Sequence, residues 1–266
     1  MKKSILAVVS AVIAILIYIL SQVLVQYVYA FVVYFRNLDP NRGFADALFP
    51  AISNINNNKD IFSLIAIALA CVIIYYHYCR RKGQYGISFN VKSLKAVDCI
   101  ICMIFGVTLS TCFYMILVFL NIIDIDVFGV EIGIRYFLVS CMVVPVFEEW
   151  LFRNVVMTIL LKNMHIIPTI IIQAFLFSLI HASYTQKIYT FFLALVLGVV
   201  MIDTNNFIVT SYIHIVFNVV GLGVIDVSSL NTVTRGVVLF VSTVISVVLL
   251  LYETGKCNKK RGCCTN

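Results

Sequence analysis

An otherwise apolar stretch near the middle of the chain carries three ionisable side chains, in residues 146–153 (VFEEWLFR). Glu149 and Arg153 are four residues apart, so on a helix they share a face and can form an ion pair. Glu148 points about 100° away from Glu149 and has no partner within its own turn. Ionisable residues inside apolar segments are costly and often functional, and an unpaired carboxylate is a candidate general base. The alternative is a pair of glutamates at a helix end that faces water.

Two histidines in later apolar stretches show the same four-residue spacing. Phe177 precedes His181 and His214 precedes Asn218, so the members of each pair share a helix face. Taken alone, such a histidine is often a packed core or interfacial residue, and a line of polar residues often only joins packed helices. Together with Glu148, they offer one carboxylate and one imidazole to activate water, and a second imidazole and an amide to stabilise an oxyanion. This set predicts hydrolysis without a serine or cysteine nucleophile.

The elements that position these side chains are predicted to be membrane helices. Of the 266 residues, 62% are hydrophobic and only 12% are charged, and the mean hydropathy is +1.04. A soluble domain carries about a quarter charged residues, whereas a spanning helix needs roughly 20 apolar residues. The sequence therefore predicts an all-α, polytopic membrane helix bundle of about eight transmembrane helices. We assign the net charge of +7 to short loops and tails that set topology, and not to nucleic-acid binding.

Apolar stretches divide the chain, with a polar segment at 36–60 and a basic segment at 79–98 between them. The first stretch is longer than the apolar region of a signal peptide, so we interpret it as a retained span. With the N-terminus inside, twelve Lys and Arg residues fall in inside segments and six in outside segments or span ends, which predicts that both termini are cytoplasmic. The predicted spans are 4–35, 61–78, 99–120, 134–161, 165–184, 188–202, 207–225 and 235–252.

Glu148 and His181 lie at different depths in this arrangement. Glu148 falls near the middle of the fourth stretch, and His181 falls near the outer end of the fifth. At about 1.5 Å per residue, the difference is roughly 10 Å or more. Bringing the two side chains together requires different span ends, or fourth and fifth helices that are offset or broken. Pro145, three residues before Glu148, is a candidate position for a kink.

The ordered motifs resemble those of the CAAX protease and bacteriocin-processing family, also called the Abi family. Its pattern runs E-E-x-x-x-R, then F-x-x-x-H, then H-x-x-x-N or D, and every position matches here in the same order. The resemblance covers roughly residues 134–225 and implies an intramembrane endopeptidase like the type II CAAX prenyl endopeptidases. We accordingly divide the chain into an N-terminal membrane region of about three spans (1–133), a catalytic helix core (134–225), and a last span with a basic tail (226–266).

The family implies a role for each matching residue. Glu148 resembles the base that activates water, together with His181. Glu149 resembles an orienting residue that is paired with Arg153. His214 resembles an oxyanion stabiliser, and it shares this role with the residue one helical turn later, Asn218.

A divalent metal such as zinc is the cofactor to consider for this family, although no cofactor is certain from the sequence. Family members are often labelled metalloproteases, and Glu148, His181 and His214 form a candidate His₂Glu set with an open fourth position. The sequence lacks the compact H-E-x-x-H helix that identifies many zinc peptidases. A metal-independent glutamate mechanism is therefore favoured, with the metal site as the alternative.

The predicted function is hydrolysis of a peptide bond in a membrane-associated peptide, with or without a lipid, by a multi-pass protein of the cell membrane. The alternative is a catalytically silent immunity or regulatory partner of the same fold, although unused buried charges are costly to retain. A transporter or proton relay ranks last because the sequence shows no repeated halves. The expected partners are the lipid bilayer and the peptide substrate, with no nucleic acid.

Nine cysteines receive no chemical role. Those inside apolar stretches resemble small hydrophobic residues. Cys99 and Cys102 form a single C-x-x-C, without the second pair that a zinc ribbon needs. Cys257, Cys263 and Cys264 lie in the basic tail, where the final Cys-Cys-Thr-Asn has only the loose form of a prenylation box.

Overall fold

A computed structural model describes residues 2–37, 43–80, 93–122, 133–224 and 230–262. Within these ranges the chain forms helices joined by turns and contains no strand, which confirms the all-α fold class. The tail residues Cys263 and Cys264 and the side chain of Cys257 lie outside the described part. Most of the basic segment 79–98, which contributes to the predicted orientation, also lies outside it.

The described residues form α-helices, several of which continue into π-helical turns. The α-helices are α1 (Lys2–Arg36), α2 (Phe44–Asn57), α3 (Lys59–Ile74), α4 (Ala96–Phe119), α5 (Ile134–Leu138), α6 (Val144–Glu149), α7 (Met157–Leu161), α8 (Ile166–Leu179), α9 (Tyr184–Thr204), α10 (Phe207–Val219) and α11 (Thr232–Gly262). Within the described part of the chain, π-helical turns continue them at Tyr75–Cys79, Val139–Val143, Trp150–Val156 and Val220–Val224. Helix α2 occupies most of the polar segment 36–60, for which no helix was predicted.

Five helices among the described residues are long and apolar enough to cross a membrane. The helices Ile166–Leu179 and Phe207–Leu222 are apolar but shorter. The chain is therefore a multi-pass membrane protein, and the predicted number of about eight spans stays a prediction. The five long helices are Lys2–Arg36, Lys59–Tyr78, Ala96–Phe119, Tyr184–Thr204 and Thr232–Tyr252.

Residues 134–161 form one continuous helix, here called the central helix, in which α5, α6 and α7 are joined by two π-helical turns. Pro145 lies in the first turn of α6, directly after the first π-helical turn. Proline has no N–H and its ring clashes with the preceding turn, so a locally widened helix accommodates it. Every residue from Phe147 to Met157 is buried. The glutamates therefore lie inside the bundle, and the alternative of a water-facing helix end is wrong.

Helix α1 runs antiparallel to the central helix and packs closely against it. The Ser4 hydroxyl donates a hydrogen bond to the Asn163 carbonyl at 3.0 Å, beyond the end of the central helix, and the Tyr18 ring lies 4.8 Å from the Phe147 ring. Small side chains on the same face of α1, including the fully buried Ala11, allow the two backbones to approach each other. The N-terminal span therefore supports the segment that carries the glutamates.

Helix α3 runs parallel to the central helix and is tied to its start. Buried Asp60 forms an ion pair with Arg135, which also donates to the Asn58 side chain at 3.0 Å. Near the other end of α3, the Tyr78 hydroxyl donates to the Ser10 carbonyl of α1 at 2.8 Å. These polar contacts fix α1 and α3 relative to the central helix.

Helix α10 packs against α4 through a glycine. A Cβ atom at Gly106 would lie 2.7 Å from the Val216 Cβ and 2.9 Å from the Ile213 carbonyl oxygen. One turn further along α4, the Ser110 hydroxyl donates to the Phe217 carbonyl at 3.0 Å. Because α10 carries His214, this close approach determines the position of that histidine.

Replacing Gly106 by Ala is expected to destabilise the protein by about 1–3 kcal/mol, because the added methyl group must push α10 away from α4. Thermal unfolding in detergent measures the effect. Gly236→Ala in α11 is the matched control, since its Cβ would meet nothing within 4 Å. Equal unfolding temperatures for the two variants would show that the helices do not pack as closely as the structure indicates.

Candidate active site

The central helix places Glu149 and Arg153 in direct contact. The Arg153 Nε lies 2.9 Å from Glu149 Oε2, and neither side chain is exposed. This contact confirms the pairing that their four-residue spacing predicts. The Arg153 Cζ also lies 5.0 Å from the centre of the Phe177 ring, and its two terminal nitrogens have no hydrogen-bond partner among the described residues. The buried guanidinium is thus balanced by one carboxylate and the face of one aromatic ring.

Helix α10 brings His214 to both glutamates. Its Nδ1 lies 2.9 Å from Glu149 Oε1, and its Nε2 lies 3.9 Å from Glu148 Oε2. An ionised carboxylate can only accept hydrogen bonds, so the Nδ1–H donates to Glu149, and this contact fixes the orientation of the ring. Glu149 therefore joins Arg153 to His214, a role beyond the Arg153 partnership that the resemblance implies. We call Glu148, Glu149, Arg153 and His214 the buried charge cluster.

The gap between His214 and Glu148 is wider than a hydrogen bond. At 3.9 Å, the two atoms do not bond directly, but both can contact one small polar group such as a water or a carbonyl oxygen. Glu148 is 7% exposed, whereas Glu149 is fully buried. Of the two glutamates, Glu148 is therefore the more exposed.

Phe177 connects the cluster to the second histidine. Its ring centre lies 5.9 Å from that of His214 and 5.0 Å from that of His181. The Nδ1 of His181 lies 2.9 Å from the Phe177 carbonyl oxygen, so Nδ1–H donates there and Nε2 stays available as an acceptor. The spacing of Phe177 and His181 alone indicates no role for the phenylalanine. In the structure, Phe177 contacts both imidazoles and Arg153.

Helix α8 is shorter than the predicted fifth span. Helix α8 has 14 residues and ends at Leu179, so His181 lies in the turn that follows it. Such a helix is about 21 Å long, which is less than the roughly 30 Å of the hydrocarbon core. The predicted fifth span of 165–184 was therefore too long. The structure also shows two π-helical turns that interrupt the regular α-helix of the fourth stretch.

Asn218 lies on α10 one turn after His214, as the spacing predicts. It is half-buried, and within the described part of the chain its side chain has no hydrogen bond to the cluster. Asn218 therefore lies one helical turn from His214 and is not hydrogen-bonded to the buried charge cluster.

The described residues do not support the predicted metal site. Within the described ranges, no group of three or more His, Cys, Asp or Glu side chains could hold a metal ion. The His₂Glu set of Glu148, His181 and His214 therefore does not meet the geometry of a zinc site, and the assignment as a metalloprotease is not supported.

A large apolar groove lies beside the central helix, with a volume of ≈ 900 Å³. It is lined by α3, the central helix and α10, through residues such as Tyr75, Phe147 and Phe207. Neither Glu148 nor Glu149 lines the groove. The groove is therefore lined by residues next to the glutamate pair, such as Phe147 and Trp150, and not by the pair itself.

Together, the fold and the site define a multi-pass helical membrane protein in which an arginine and two histidines surround one phenylalanine, with two carboxylates beside the arginine and one of the histidines. Residues 131–220 match the family model described as Type II CAAX prenyl endopeptidase Rce1-like. This range contains the six residues predicted from the motifs, and the match confirms the resemblance to the CAAX protease family and indicates a protease. Helices α1 to α4 and α11 lie outside the matched range. Neither the curated proteins nor the solved structures include a match to this chain.

Proposed function

We propose that this protein is an intramembrane endopeptidase that hydrolyses a peptide bond in a prenylated, membrane-associated peptide. The observation that carries the proposal is the buried charge cluster, in which Glu148 faces a histidine that Glu149 and Arg153 hold in place. The matched family supports a prenylated substrate. An isolated buried carboxylate would be costly, so its position beside an oriented imidazole is consistent with a role in chemistry.

In the proposed first step, Glu148 removes a proton from water while the water oxygen bonds to the scissile carbonyl carbon. His181 accepts a hydrogen bond from the same water through its Nε2, because its Nδ1 is committed to Phe177. The carbonyl π electrons move onto the carbonyl oxygen. His214 and Asn218 stabilise this oxyanion, with Nε2 of a protonated His214 as the donor nearest to Glu148.

In the proposed second step, the C=O bond re-forms and the C–N bond breaks. The proton that Glu148 removed passes to the leaving nitrogen, which departs as an amine. The other product is a carboxylic acid, and Glu148 returns to its carboxylate form. The two steps need only water, and no metal ion takes part in them.

The proposed membrane placement follows the loop charges. We propose a location in the cell membrane with both termini cytoplasmic, because more basic residues fall in the segments that this orientation puts inside. The bilayer then presents a lipid-anchored peptide at the same depth range as the helices of residues 134–225, which we propose as the catalytic core.

A reconstituted cleavage assay tests the proposed function. The full chain in phosphatidylcholine–phosphatidylglycerol liposomes is given a synthetic peptide that ends in S-farnesylcysteine, Val, Ile and Met. We expect release of the tripeptide Val-Ile-Met, detected by mass spectrometry, and slower release from the peptide without its farnesyl group. If neither peptide is cleaved, the endopeptidase proposal fails and a silent regulatory partner of the same fold becomes the better account.

Chelation separates the metal-independent mechanism from the metal-dependent one. We expect an excess of EDTA to leave the rate of tripeptide release unchanged, because the proposed steps use only Glu148, the two histidines and water. A loss of activity that added zinc restores would overturn the metal-independent mechanism but not the endopeptidase function.

A further inference from the structure

The ring of Phe177, on α8, contacts three ionisable side chains of the proposed active site. We propose that Phe177 is a positioning residue for the reaction. The face of its ring holds the Arg153 guanidinium, and its ring contacts keep the imidazoles of His181 and His214 in place. The proposal rests on the proposed endopeptidase function. It deepens that function by giving an apolar side chain of the site a role in the reaction.

The ring of Phe177 is itself fixed in the bundle. Its side chain is fully buried, and its ring centre lies 4.9 Å from that of Phe152 in an edge-to-face arrangement at 82°. Phe152 is fully buried as well and belongs to the central helix. Edge-to-face pairs are directional, because the positive edge of one ring meets the negative face of the other. The ring of Phe177 therefore has little freedom to turn, and it can fix the groups that contact it.

The Arg153 guanidinium has few partners besides this ring among the described residues. Its Cζ lies 5.0 Å from the centre of the Phe177 ring, and its Nε lies 2.9 Å from Glu149. Its two terminal nitrogens have no hydrogen-bond partner within the described ranges. A cation over an aromatic face is stabilised most when both are desolvated, as here. A guanidinium held by the ring as well as by the carboxylate cannot pivot about its Nε, so Glu149 also stays in place to orient His214.

The two histidines meet the same ring from different elements. His181 lies in the turn after α8, and its ring centre is 5.0 Å from that of Phe177, with the rings tilted by 49°. The ring of His214, on α10, lies 5.9 Å away at 63°. Each Nδ1–H is held by one acceptor, which is Glu149 for His214 and the Phe177 carbonyl for His181. A single hydrogen bond lets an imidazole swing, and contact with the phenyl ring restricts that motion, so both Nε2 atoms keep their directions.

Phe177→Leu removes the ring but leaves an apolar side chain in its place. In the farnesylated-peptide assay we expect kcat to fall about tenfold, with KM within about twofold of the wild-type value, because the lost aromatic contacts position reacting groups and not the substrate. Phe175→Leu is the matched control, since it is the same substitution on the same helix at a side chain that is 55% exposed. It should retain full activity.

Fluorinated phenylalanines in place of Phe177 separate the charge distribution of the ring from its packing. One, two or three fluorine atoms withdraw electrons from the ring face and change the shape of the side chain little, so these variants are expected to fold even if Phe177→Leu does not. We expect kcat to fall stepwise with each fluorine, by about three- to tenfold in total, because the attraction between Arg153 and the ring weakens. The same series in place of Phe175 should leave kcat unchanged.

The role of Phe177 is overturned if kcat stays constant across its fluorinated series. It is also overturned if folded Phe177→Leu retains the kcat of Phe175→Leu or changes only KM. Failure of the endopeptidase function gives a different result, in which the wild-type protein cleaves neither peptide, and the positioning role then fails with it. A constant kcat across the series in an active protein removes the role of Phe177 alone.

Discussion

Replacing Glu148 by Gln is expected to lower kcat for the farnesylated peptide by about 10²–10⁴-fold while the protein still folds. Glutamine keeps the size of the side chain and its place beside His214, 3.9 Å away. It cannot accept a proton from water, so the proposed first step loses its base. Glu148→Ala should have at least as large an effect, because it also leaves a cavity beside the cluster.

The measurement is the rate of tripeptide release in liposomes, with circular dichroism and thermal unfolding to confirm that the variants fold. Asp46→Asn is the matched control, since Asp46 is an exposed carboxylate on α2 that is outside the site. It should cleave at the wild-type rate. Wild-type activity in folded Glu148→Gln would remove Glu148 from the mechanism.

The second large effect is expected from the ion pair of Glu149 and Arg153. Arg153→Met is expected to reduce the free energy of unfolding by about 3–5 kcal/mol, because it leaves Glu149 as an uncompensated buried charge. It should also reduce cleavage, since Glu149 positions His214 through the 2.9 Å contact with Nδ1. Unfolding in detergent and the rate of tripeptide release measure the two effects separately.

The double variant Glu149→Gln/Arg153→Met tests whether the pair has a role in activity beyond stability. Removing both charges together should restore much of the stability, because no buried charge remains unpaired. Activity should stay low, because a neutral amide is a weaker partner for His214 than a carboxylate. Arg36→Met, at the exposed end of α1, is the control for loss of an arginine. If the double variant is stable and fully active, the ion pair contributes to stability and has no role in catalysis.

The local relations in the site could be predicted from the sequence. The pairing of Glu149 with Arg153 follows from a spacing of four residues, because one helical turn brings such side chains together wherever the helix lies. The all-α class and the membrane environment follow from composition, since each helix satisfies its own backbone and needs only apolar side chains. The order of the motifs was enough to indicate a resemblance to the family, and the match over residues 131–220 confirms that resemblance.

Irregular geometry was harder to predict. The sequence marked Pro145 as a place for a kink, but it did not show that π-helical turns lie on both sides of the glutamates. It also extended the fifth span to residue 184, whereas α8 ends at Leu179. Hydropathy measures whether a segment is apolar, and it does not record where the helical hydrogen bonds stop.

Sequence alone therefore determined which residues could react and which of them share a helix face, because both depend on residue type and helical period. Only the tertiary structure decided that His214 pairs with Glu149, that Phe177 lies between the two histidines, and that α1 packs Tyr18 against Phe147. These contacts join residues far apart in the chain. They depend on how closely helices pack, as at Gly106 against α10, and a pattern along one helix does not contain that information.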